Sequence, residues 1–278
     1  MLTTTFLVLV IGLLIVYALL LVSAWRWQER LVFQPPRAPG EAAPPVHKLE
    51  YTAADGVRLH AFVVGETHAD RPVLLAFHGN ADLARWLVPW AGDVVRETGA
   101  CVVLPEYRGY DELPGPPTYG GAAADARAAL AAVHRELGVT ADGVVLFGHS
   151  LGSAIATELA REAPVRALVL QSPFSSARAM AKRMLLPGMS GLWRLISRVH
   201  YDSVRHVADL ACPVFVAHGE RDRIIPARMG HAVFAAARSR GEFLLVSTAG
   251  HNDVPELGGD AYWRWLRAGV AAGVTDAP

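Results

Sequence analysis

The chain opens on an unbroken apolar run. Residues 1–25 carry no charged side chain, and 6–22 read Phe-Leu-Val-Leu-Val-Ile-Gly-Leu-Leu-Ile-Val-Tyr-Ala-Leu-Leu-Leu-Val. A helix needs about 20 apolar residues to cross the hydrocarbon of a bilayer. A run that is apolar all round has no polar face to turn to water. Trp25, Arg26, Trp27 and Arg30 follow at once, the aromatic and basic mixture of a membrane surface. A cleaved signal peptide ending near Val22-Ser23-Ala24 competes with this reading. However, the run is longer than an h-region and no Lys or Arg precedes it. The pattern predicts one uncleaved, single-pass transmembrane anchor over residues 1–25. The basic residues lie after the span, which places the rest of the chain on the cytoplasmic side.

Residues 26–46 read as a juxtamembrane linker, rich in proline from 34 to 45 and therefore extended and semi-rigid. The pattern then changes to short apolar runs separated by helical spacing. Residues 47–53 and 57–64 flank Asp55-Gly56, a hairpin signal. Strand-like runs follow at 73–77, 101–104, 144–147, 167–170, 214–217 and 243–246. Helical stretches fall at 81–98 (interrupted at Pro89), 122–137, from Ser153 to about 163, and 261–270. Such alternation specifies an α/β fold, a mostly parallel sheet covered by helices, with ligands bound at the carboxyl ends of the strands. It makes 47–272 one domain and leaves 273–278 as a tail. The connection over about 174–210 is longer than a plain crossover. Its stretches 177–186 and 192–199 have helical spacing broken by Pro187-Gly188, which predicts a small helical cap. Met180, Met184, Leu185 and Trp193 either line an acyl site there or pack the cap onto the sheet. Arg178, Lys182, Arg183, Arg194 and Arg198 either meet an anionic group or face solvent.

Composition narrows the function classes. At 278 residues and 52% hydrophobic content, one large core is possible. A formal net charge of zero leaves no electrostatic footprint for nucleic acid. The two cysteines, Cys101 and Cys212, form no C-x-x-C pair, and the 11 histidines show no metal-ligand spacing. No metal and no cofactor is expected.

The chemistry collects at four strand ends. Gly148-His149-Ser150-Leu151-Gly152 matches the nucleophile-elbow pattern, between an apolar strand and a helix. Asp222 follows the 214–217 run, and His251 follows the 243–246 run. A serine hydroxyl needs a base to take its proton, and a carboxylate fixes the tautomer of the imidazole. The order Ser150, Asp222, His251 is that of the α/β-hydrolase arrangement. Glu220 and Asp253 compete with Asp222 for the orienting role. His78-Gly79-Asn80 ends the first parallel run, where the second oxyanion donor belongs. The backbone N–H groups of Asn80 and Leu151 are the candidate oxyanion hole, with His78 as a support for the loop.

The segments FHGNA (77–81), EYRGY (106–110), GHSLG (148–152), QSPFSS (171–176), CPVFVAHGERDRIIP (212–226) and GHND (250–253) together resemble the α/β-hydrolase superfamily. More narrowly they resemble its membrane-anchored Bem46-like group, with a serine-aminopeptidase-type domain. The resemblance implies Ser150, Asp222 and His251 as catalytic triad and Asn80 and Leu151 as oxyanion donors. Relatives usually carry Asp-Tyr-Arg-Gly-Tyr-Gly where this chain has Glu106-Tyr107-Arg108-Gly109-Tyr110-Asp111, a departure beside the pocket rather than in the triad. The expected function is a membrane-anchored serine hydrolase of carboxylic esters or thioesters, acting on a small-molecule or lipid acyl substrate. The alternatives are peptide hydrolysis, with Glu106 or Asp111 holding a substrate amine, and a non-catalytic binding module on the same scaffold.

Overall fold

The computed structural model describes residues 2–37, 45–184 and 197–273. Helix α1 (Leu2–Val32) leads into an eight-stranded sheet. The strands are β1 (His47–Thr52), β2 (Arg58–Val64), β3 (Val73–Phe77), β4 (Cys101–Pro105), β5 (Val144–His149), β6 (Ala167–Gln171), β7 (Val214–Gly219) and β8 (Arg240–Val246). Their spatial order is β1-β2-β4-β3-β5-β6-β7-β8. The β1–β2 hairpin and the β2–β4 pair are antiparallel, and every later pairing is parallel.

The central strands are buried along their whole length because helices cover both faces, so their sequences run apolar without alternation. The period of two survives in which core each residue joins. Val73, Leu75 and Phe77 point to one side, with α3 (Tyr119–Leu137), α4 (Leu151–Glu162), α6 (Ser203–Val207) and α7 (Ala227–Ala236). Leu74 and Ala76 point to the other, with α2 (Val88–Thr98) and α8 (Val254–Ala271). Helix α5 (Ala177–Met184) belongs to the connection between β6 and β7.

Several boundaries differ from the pattern-based reading. Helix α1 does not stop at 25 but runs to Val32, so the first part of the stretch assigned to a linker is helix. The apolar periodicity ends at the aromatic and basic residues, yet Gln28, Glu29 and Leu31 are sound helix formers and propagate it. Pro89 does not interrupt a helix. It sits in the first turn of α2, where the missing N–H costs nothing. The closing helix begins at Val254 and turns at Gly259, whose φ is 48°. Of the cap, α5 is described, whereas the second expected cap helix starts in residues 185–196, which lie outside the described residues, as does the Pro187-Gly188 break. Within α1, Thr4–Ser23 is long and apolar enough to cross a membrane, with mean hydropathy 3.0 and none of it buried.

Candidate active site

The turn from β5 into α4 is tight. A Cβ on Gly148 would lie 2.3 Å from the Gly152 carbonyl oxygen, and one on Gly152 would lie 2.1 Å from the Phe77 oxygen. Both positions exclude any side chain. Between them Ser150 takes φ 52° and ψ −113°, a strained conformation that costs about 1–3 kcal/mol and is held by the packing around it. Leu151 is the first residue of α4, so its N–H is one of those the helix leaves unpaired, at the positive end of the dipole.

Three side chains from three strand ends meet here. Ser150 Oγ lies 2.9 Å from His251 Nε2, and His251 Nδ1 lies 2.6 Å from Asp222 Oδ2. Asp222 is fixed from below. Its Oδ1 accepts the backbone N–H groups of Ile224 at 2.9 Å and Ile225 at 2.7 Å. Its Oδ2 also lies 3.2 Å from the buried His218 Nε2. Burial alone would raise the Asp222 pKa, but the hydrogen bonds from His218 and His251 outweigh it and hold the carboxyl well below the usual range. The two competitors are placed elsewhere. Glu220 is exposed, and Asp253 accepts the Gly250 N–H at 2.6 Å.

Three supporting groups escaped the sequence reading. His149, within the elbow itself, has its Nε2 3.2 Å from the His251 carbonyl oxygen, which also accepts the Ser172 hydroxyl at 3.2 Å. Burial, aided by the His251 charge, pushes the His149 pKa down to about 3, so it stays neutral. His218 Nε2, besides its contact to Asp222, lies 2.8 Å from the Ile225 carbonyl. A histidine beside a motif carries no pattern that separates such a brace from a surface residue.

The loop after β3 is braced from beneath. His78 and Glu106 are fully buried, with Nε2 to Oε1 at 2.8 Å. Glu106 also accepts the N–H groups of Ala84 at 2.9 Å and Tyr107 at 3.0 Å. Burial opposes a charged His78, but the Glu106 carboxylate prevails and keeps its pKa above the ordinary value. Asn80 turns its side chain away from Ser150, toward α1. Its Oδ1 accepts the Gln34 N–H at 2.9 Å and the Tyr110 hydroxyl at 2.8 Å, and its Nδ2 donates to the Val32 carbonyl at 2.7 Å. Asp111 pairs with Arg85. Neither Glu106 nor Asp111 lines the space above Ser150.

That space is a cleft of about 1240 Å³ reached by Ser150, His251, Asn80 and Leu151. Its walls are mainly apolar, with Trp86, Trp90 and Phe147 among them, and Phe174, Met180 and Met184 from the β6–α5 region. Leu185 and Trp193 lie outside the described residues. Among the described residues no group of three or more His, Cys, Asp or Glu side chains could hold a metal ion.

Residues 72–196 match the model of the alpha/beta hydrolase fold family. An uncharacterised protein of Mycobacterium tuberculosis strain H37Rv is 34% identical over 241 residues, covering 84% of this chain and 83% of that one. The chain belongs to the α/β-hydrolase family. Within the family, the lysophosphatidylserine lipase ABHD12 of Danio rerio is 29% identical over 197 residues, 62% of this chain and 49% of that protein. The Pyrococcus furiosus esterase Pf2001 has the same hydrolase fold, with TM-score 0.66 and 18% identity over 85% of this chain and 99% of that one. The proteins this α/β-hydrolase chain resembles thus include an esterase and a lipase.

Proposed function

We propose that the protein is a membrane-anchored serine hydrolase of the Bem46-like group that cleaves carboxylic esters or thioesters of lipid or other acylated substrates. The observation that carries this reading is the continuous hydrogen-bonded chain from Ser150 through His251 to Asp222, opening into an apolar cleft. In the reaction, His251 Nε2 takes the Ser150 proton as Oγ attacks the acyl carbon. The resulting oxyanion is held by the Asn80 and Leu151 N–H groups. Collapse breaks the ester bond, with His251 returning the proton to the leaving alcohol or thiol. Water, deprotonated by His251, then releases the acid and restores Ser150. Asp222 stays ionised throughout and stabilises the imidazolium.

The apolar span Thr4–Ser23, with Trp25, Trp27 and the following arginines, supports anchoring, with the catalytic domain on the cytoplasmic side. Esters are preferred over peptides because the two carboxylates expected from the sequence to hold a substrate amine, Glu106 and Asp111, are taken by His78 and Arg85. Fluorophosphonate labelling and hydrolysis of p-nitrophenyl esters test the reading. Wild-type protein is expected to label and turn over. Ser150→Ala is expected to do neither, and turnover by Ser150→Ala equal to wild type would sink the assignment.

A further inference from the structure

The end of α1 is built into the catalytic domain. Phe33, just past it, is 2% exposed inside the core shared with α3 and α4. Gln28 is buried and accepts the Arg198 backbone N–H at 2.5 Å. Asn80, from the loop beside Ser150, grips the Val32 carbonyl and the Gln34 N–H. The helix end is therefore held in fixed register with the nucleophile.

Leu31 behaves differently from its neighbours. It is 55% exposed, and it lines the same cleft as Ser150, together with Val32. The cleft receives Met180 and Met184 from α5, the latter 72% exposed. Leaving large apolar side chains open beside a nucleophile is costly in water, and an apolar ligand relieves the cost. On α1 itself, Leu20, Trp27 and Leu31 recur at spacings of seven and four, so they share one face. All three are exposed. Leu31 stands eight residues past Ser23, the end of the apolar span, about 12 Å along the helix axis.

We propose that the last turn of α1, through Leu31 and Val32, is the acyl-binding wall of the cleft. Its occupant is the chain of a long-chain acyl ester resident in the bilayer, laid along α1 on its way to Ser150. The proposal rests on the ester-hydrolase reading above and makes α1 a determinant of specificity as well as an anchor.

The test uses the full-length chain in detergent micelles, with p-nitrophenyl butyrate and p-nitrophenyl palmitate as probes. Leu31→Trp thickens the wall at an exposed position. Relative to the unsubstituted chain, kcat/KM for palmitate is expected to fall about tenfold or more further than that for butyrate, the scale on which apolar pockets discriminate. The butyrate arm reports that the variant is folded. Equal loss on both probes, or no loss on palmitate, overturns the proposal. Failure of the underlying reading shows separately, as absence of Ser150-dependent turnover of any ester by the unsubstituted chain, and takes the wall with it.

Discussion

His149 shows how a single half-buried side chain sets a pH limit. Folded, it stays neutral down to about pH 3. In the unfolded chain a histidine takes a proton near pH 6.5. Below that pH the unfolded state binds more protons, so stability falls as pH falls, by up to about 1.4 kcal/mol per pH unit until the folded group itself titrates. The contribution is therefore complete above about pH 6.5 and is lost progressively toward pH 3. Urea unfolding of wild type and His149→Gln across pH 7 to 4 checks it. The variant is expected to show the shallower decline.

Among the elements, the loop between β3 and α2 depends on a carboxylate it does not contain. Glu106, at the end of β4, supports His78, Ala84 and Tyr107 at once. Glu106→Ala strands a buried His78 ring nitrogen and the buried N–H groups of Ala84 and Tyr107. The expected cost is about 3–5 kcal/mol, the scale for breaking a buried ion pair, read as a lowered urea midpoint. The same elements show what a sequence exposes and what it hides. The parallel strands were legible because strands covered on both faces are written as apolar runs, as in Val73–Phe77 and Cys101–Pro105. Residues at the ends of such runs gather in space, so Ser150, Asp222 and His251 could be named before their distances were known. The braces could not. His149, Ser172 and His218 act by pointing inward from chain positions where the same residues could equally point out. Glu106 and Gln28 were hidden for the same reason, since a polar residue destined for burial looks in a sequence like one destined for water.

At the scale of the whole molecule, α1 and the sheet act as one body. The helix has 31 residues, about 46 Å, of which the apolar span uses 20. Its far end is locked to the domain by Phe33, Gln28 and Asn80. A linker placed from 26 would have made a semi-rigid spacer; continuous helix to Val32 makes a post. With α1 in a bilayer as proposed, Ser150 is held at a set distance from the surface.

An anchored post imposes a geography. With α1 anchored as proposed, the domain patrols a plane, and its encounters become two-dimensional, with molecules that share its leaflet. Substrate in the opposite leaflet, or in another vesicle, is out of reach whatever its affinity. When enzyme-bearing proteoliposomes are mixed with separate vesicles carrying a long-chain ester that does not exchange between membranes, hydrolysis is expected to be negligible. Placing the same ester in the enzyme's own vesicles should restore it, with release of the free acid as the measurement.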